Sequence, residues 1–166
     1  MRFVPWIALV LTVTLGAGVF ALPGFRITSF SMEPTLAQGD VVIVIPFLGS
    51  LGRGDVVIYI DPRLENHPFV VKRIVGLPNE QLAIRDDLVS VQTGEGELTF
   101  PKDSLLGRRN NGRDLSIVLG PEDYLLMGDN RPGSKDGRTT GTIQRHEMYG
   151  AILFRVTPLS RIGFIR

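Results

Sequence analysis

From Phe3 to Phe25 the chain runs 23 residues without a charge, and no other feature limits its fold as strongly. The stretch Trp6-Ile7-Ala8-Leu9-Val10-Leu11-Thr12-Val13-Thr14-Leu15 is apolar nearly all round, so a helix built from it has no polar face for water. At about 1.5 Å per residue the run reaches roughly 34 Å, against a hydrocarbon core of about 30 Å, which predicts one membrane-spanning helix over residues 1–25. Pro5 suits a first helical turn, and Pro23-Gly24 ends the helix before Arg26. A cleaved export signal is the competing reading, with Val19-Phe20-Ala21 as a small-residue cut site. The run is longer than the apolar region of such signals, about 7 to 15 residues, and this favours a retained anchor. Arg2 and the amino terminus oppose Arg26 across the run, so charge alone does not set the orientation.

Residues 26–166 are enough for one domain with its own core. They read as short β-branched runs separated by Gly, Pro, Asp and Asn, without a sustained helical period, which predicts an all-β, antiparallel fold. The expected strands are Asp40 to Ile45, Asp55 to Asp61, Phe69 to Val75, Gln81 to Gln92, Leu98 to Pro101, Leu115 to Leu119, Tyr124 to Met127 and Ala151 to Val156. Between about Gln81 and Ser116 charge density rises and apolar runs shorten, marking a small inserted β subdomain. With 18 Lys+Arg against 17 Asp+Glu, no global field attracts a polyanion, so nucleic acid is not an expected partner. Cysteine is absent and the two histidines, His67 and His146, are far apart in a chain without HExxH. Disulfides, thiolate chemistry and a zinc site are therefore not expected.

Three segments hold residues suited to chemistry. In Ser29-Phe30-Ser31-Met32-Glu33-Pro34-Thr35-Leu36, Pro34 biases the backbone away from helix and ladder, so the segment forms an irregular turn just after the membrane run. Serines in such turns mostly make local hydrogen bonds. In Phe69-Val70-Val71-Lys72-Arg73-Ile74-Val75-Gly76, strand alternation puts Lys72 and Arg73 on opposite faces. If Arg73 faces water or a carboxylate, Lys72 shares an apolar face with Val70 and Ile74, where an ammonium loses hydration. Lowering its pKa from about 10.4 to near 7 or 8 takes a burial penalty of roughly 3 to 5 kcal/mol and makes a neutral amine that could deprotonate a serine. Taken alone, Lys72 also reads as a lysine lying along an apolar strand with its head in water. In Met127-Gly128-Asp129-Asn130-Arg131-Pro132-Gly133-Ser134-Lys135-Asp136-Gly137-Arg138, the density of Asp, Asn and Gly forces tight turns, and the acid–arginine content suits paired ions that hold a loop.

Together these segments resemble the signature boxes of bacterial type I signal peptidases, a Ser–Lys dyad family. The boxes are a serine box of the Ser-Met-x-Pro-Thr-Leu kind, a Lys-Arg strand and a Gly-Asp-Asn-Arg-x-x-Ser-x-Asp-x-Arg loop, and they occur in the family's order. Gly54-Asp55-Val56-Val57 resembles the family's box between serine and lysine, and Arg161-Ile162-Gly163 its C-terminal end, so the likeness covers nearly the whole chain. It implies Ser31 as nucleophile, Lys72 as general base, Ser29 with the Ser31 N–H as oxyanion donors, and Ser134 as the group that orients Lys72. Asp129, Asn130, Arg131, Asp136 and Arg138 are implied as loop-fixing residues. Ile27, Met32, Leu36, Val70 and Val71 are implied as walls of pockets for small side chains. The implied activity is serine-type cleavage of signal peptides from exported preproteins after a small residue, without metal or cofactor. The implied place is the outer face of the cytoplasmic membrane, with a single-pass anchor in the bilayer and the catalytic domain on the extracytoplasmic side.

The likeness is not uniform. Phe30 stands between the two serines where the family usually has a small residue, and is expected to narrow the approach or shift Ser29. Gly137 replaces a usual serine, and Asn79-Glu80 stands where Gly-Asp is common. Two other functions remain open at this stage: a maturation peptidase dedicated to one secreted or pilin-like substrate, and a membrane-tethered β domain without activity. A soluble self-cleaving repressor with the same dyad is disfavoured, because its DNA-binding helices would need the space that the apolar run fills.

Overall fold

Period-2 runs of Val, Ile and Leu bounded by Gly, Pro and Asp give strands here, and the strands pair antiparallel. The structure, a computed structural model, describes residues 11–15, 18–45, 50–64, 68–85, 88–93, 96–100 and 114–165. The strands are β1 (Leu11–Leu15), β2 (Gly18–Leu22), β3 (Gly24–Arg26), β4 (Val41–Ile45), β5 (Val56–Ile60), β6 (Phe69–Gly76) and β7 (Gln81–Arg85). They continue with β8 (Leu88–Thr93), β9 (Gly96–Phe100), β10 (Leu115–Val118), β11 (Asp123–Met127), β12 (Ile143–Gln144), β13 (Met148–Thr157) and β14 (Gly163–Phe164). One short helix, α1 (Gly137–Thr140), follows β11.

The main sheet has the order β12-β11-β6-β5-β13-β4-β3, with β14 also paired to β13. Alternation along β5 sends Val56 and Ile58 to one face and Val57 and Tyr59 to the other, and each pair joins a separate buried cluster. Between β6 and its neighbour β11 the chain leaves to build a second sheet, β10-β7-β8-β9. Leu82, Ile84, Val89 and Val91 from that sheet pack on Val75, Leu125 and Met127 of the first. The single strand expected over Gln81 to Gln92 is two strands paired with Arg85 opposite Leu88.

The N-terminal run differs from its expected form. Leu11–Leu15 and Gly18–Leu22 are strands paired with each other, and among the described residues no helix is long and apolar enough to cross a membrane. Val and Thr in the run favour extended backbone, and Gly16-Ala17-Gly18 interrupts a helical stretch, so local preference alone does not choose helix here. Residues 1–10 and 16–17 of the expected anchor lie outside the described residues.

Candidate active site

Strand pairing creates the site by stopping early. β5 pairs with β6 along Phe69, Val70, Val71, Lys72 and Arg73, whereas β11 meets β6 only at Arg73, Ile74 and Gly76. The first half of β6 therefore has an edge without a strand partner among the described residues, and the serine turn lies beside it. That turn closes on itself through Glu33 N–H to the Phe30 carbonyl (3.2 Å) and Leu36 N–H to the Met32 carbonyl (2.9 Å). Met32 and Leu36 are buried in the cluster that holds Ile27, Val56 and Ile58, so apolar packing seats the turn on the sheet.

Seated there, the turn brings Ser31 to Lys72. Lys72 Nζ lies 2.7 Å from Ser31 Oγ and also donates to the Val71 carbonyl at 3.0 Å. Lys72 is 3% exposed and Ser31 8%. Burial pushes the Lys72 ammonium down to about 8, against the opposing pull of Asp136 and Asp129, which favour the charged form. Near-neutral water therefore keeps a usable share of this amine unprotonated, within hydrogen-bond reach of a hydroxyl. Ser29 Oγ lies 3.4 Å from Ser31 Oγ. The Phe30 ring is exposed and lies against Gly133, where a Cβ would stand 3.1 Å from it.

The third segment forms the rear wall. Asp129 takes a bidentate pair from Arg73, Nε to Oδ1 at 2.8 Å and Nη2 to Oδ2 at 2.7 Å, with both groups buried. Arg73 thus meets a carboxylate on the face of β6 opposite Lys72. Asp136 accepts from Arg138 and from the Gly128 N–H at 2.9 Å. Burial raises its carboxyl, and those bonds outweigh burial, so its pKa is lowered overall. Arg131 is buried, and its carbonyl accepts from Arg138 Nη2 at 2.6 Å. Asn130 holds the serine turn twice, through its N–H to the Ser31 carbonyl (3.0 Å) and its Nδ2 to the Phe30 carbonyl (3.1 Å).

Two expected arrangements are not formed. Ser134 Oγ is buried beside Gly128 and does not bond Lys72, its hydroxyl instead helping to hold the Asp136 carboxyl low; Lys72 donates to Ser31 and Val71. The five expected pocket residues also separate. Ile27, Met32 and Leu36 share a cluster on which Val71 packs, while Val70 packs with Ile74 on the other face of the sheet. Strand alternation forbids adjacent residues from lining one wall.

Gly128 was not among the expected site residues. A Cβ there would fall 2.5 Å from the Ser31 carbonyl oxygen and 2.2 Å from Ser134 Oγ, so the close approach of loop and nucleophile turn requires glycine. A Gly before Asp-Asn-Arg in the sequence signals a turn equally well, and only the contact distinguishes the two. Among the described residues no group of His, Cys, Asp or Glu is placed to hold a metal ion.

The signal peptidase family, peptidase S26, matches residues 1–157. This chain belongs to that family. Membership makes it a serine-type endopeptidase. It is 30% identical to signal peptidase I of Bacillus caldolyticus over 96% of this chain and 92% of that one. It is 27% identical to signal peptidase IB of Staphylococcus aureus strain MRSA252, over 95% and 90%. Among solved structures it is similar to a signal peptidase I from Enterococcus faecalis V583, with a TM-score of 0.51 and 26% identity, covering 63% of this chain and 98% of that one.

Proposed function

We propose that this peptidase removes N-terminal signal peptides from exported preproteins by acyl transfer, with Ser31 as nucleophile and Lys72 as general base. The carrying observation is the 2.7 Å approach of Lys72 Nζ to Ser31 Oγ in a site that depresses the lysine. Neutral Lys72 takes the Ser31 proton as Oγ attacks the carbonyl of the scissile bond, and the Ser31 N–H with the Ser29 hydroxyl receives the oxyanion. The lysine then passes its proton to the leaving amine, and an ester joins Ser31 to the acyl half of the substrate. Water, deprotonated by Lys72, hydrolyses that ester and restores the enzyme.

The unpartnered edge of β6 supports an extended substrate lying along the lysine strand. Ile27, Met32, Leu36 and Val71 would supply the apolar wall for a small side chain before the cut. Asp129, Asn130, Arg131, Asp136 and Arg138 hold the loop behind the dyad. Residues 26–166 form the protease domain, with about 81–116 as its inserted subdomain. The uncharged run from Phe3 to Phe25 serves as a single membrane anchor. Lipid leaves backbone groups no water to bond, which selects a helix where local preference does not. The domain then works on the extracytoplasmic side of the cytoplasmic membrane.

Incubating the full chain with a preprotein tests this. Wild type releases the signal peptide after a small residue, and Ser31→Ala and Lys72→Ala each abolish release while leaving the circular dichroism spectrum unchanged. Undiminished cleavage by either variant removes the dyad.

A further inference from the structure

Arg161, near the C-terminus, takes no part in the chemistry above, yet it reaches the nucleophile turn. Its Nη2 donates to the carbonyls of Pro34 at 2.8 Å and Thr35 at 3.2 Å. From β13, Arg155 Nη1 donates to the same Thr35 carbonyl at 2.7 Å. These carbonyls lie at the far end of the turn that begins at Ser31, and the two guanidinium groups satisfy them as acceptors. One buried carboxylate holds both cations: Asp40 Oδ2 lies 3.3 Å from a guanidinium nitrogen of each arginine. Asp40 also accepts from the Ala37 N–H at 3.0 Å, and Arg155 Nε donates to the carbonyl of Arg161.

The turn is thus held at both ends. Asn130 grips the Phe30 and Ser31 carbonyls in front, and two arginines grip the Pro34 and Thr35 carbonyls behind. Loosened behind, the turn could shift about its front bonds and its buried Met32 and Leu36 anchors, and Ser31 Oγ would move relative to Lys72 without unfolding the sheet.

We propose that Arg161, braced by Arg155 through Asp40, is a positioning residue that sets the direction of Ser31 Oγ by holding the rear of the nucleophile turn. The inference rests on Ser31 being the nucleophile. Misplacing a reacting atom by about 1 Å costs on the order of a hundredfold in rate, and a pivot with one end still held should cost less, about tenfold. The loss should fall on kcat, because the β6 edge proposed to carry the substrate is built elsewhere. The pH at which the rate rises should not move, because strands and the rear loop enclose Lys72.

The test uses the full chain in detergent with a peptide spanning an Ala-x-Ala cut site, and follows kcat, KM, the pH profile and the thermal midpoint. Arg161→Ala is expected to lower kcat about tenfold with KM within about twofold, an unmoved pH inflection and a thermal midpoint near that of wild type. Arg161→Lys, which keeps a charged donor for the Pro34 carbonyl, is expected to restore kcat to within about threefold. An unchanged kcat in Arg161→Ala overturns the inference, as does a fall that Arg161→Lys leaves unrelieved. Ser31→Ala is run beside them. Cleavage persisting there overturns the dyad itself, whereas cleavage lost there with kcat intact in Arg161→Ala overturns only the positioning role.

Discussion

Replacing Lys72 by methionine removes the charge while keeping most of the side chain's length, and so isolates what its burial costs the fold. The ammonium titrates at about 8 when folded and near 10.5 when exposed. At about 1.4 kcal/mol per pH unit, the charged form costs the folded chain roughly 3 kcal/mol at neutral pH. The sign follows from proton counting. The folded pKa lies below the unfolded one, so between about pH 8 and 10.5 the unfolded chain binds more protons, and stability rises with pH through that window. Below about pH 8 both states are protonated and the full cost is present. From pH 7 to 9.5, wild type should therefore gain about 2 kcal/mol relative to Lys72→Met, which has nothing to titrate at this position. Urea unfolding of both proteins at the two pH values, followed by far-ultraviolet circular dichroism, measures that difference, and other titrating groups cancel between them. A stability difference between wild type and Lys72→Met that stays level across the window refutes a buried lysine with a depressed pKa.

Two further outcomes follow from the same geometry. With the Lys72 pKa at about 8, the neutral share of the amine rises about tenfold between pH 7 and 9; kcat/KM for preprotein cleavage should rise in step, and a flat profile over that range would contradict a titrating lysine base. In Gly128→Ala the new Cβ must move the Ser31 carbonyl by roughly 0.9 Å to reach ordinary contact from 2.5 Å, which should cost on the order of a hundredfold in kcat. Ser134→Ala should not relieve that loss, because the backbone overlap remains; cleavage by Gly128→Ala within about threefold of wild type would show that the loop and turn are not in this contact.

The strands were largely legible because β-branched runs and their Gly, Pro and Asp boundaries act over a few residues. β6 was expected from Phe69 to Val75 and spans Phe69–Gly76. β13 was expected from Ala151 and begins at Met148, because Gly150 interrupts the local strand signal and pairing with β5 extends the strand through it. The site was legible in part. Alternation separated Lys72 from Arg73, and the same alternation should have separated Val70 from Val71.

Sequence alone determined which residues could do chemistry: two serines in a turn that cannot be regular, a lysine on an apolar strand face, and a loop dense in Asp, Asn and Arg. Those properties are local, set by backbone preference and by a period of two. Tertiary structure decided what the residues meet. The serine–lysine contact joins positions 41 apart, the Arg73–Asp129 pair 56, and the Arg161 hold on the turn up to 127. Desolvation of Lys72, the glycine at the loop's closest approach and the separation of Ser134 from Lys72 depend on the same distant packing. Burial and charge pairing are properties of neighbours in space, and periodicity along a chain does not report which distant segments become neighbours.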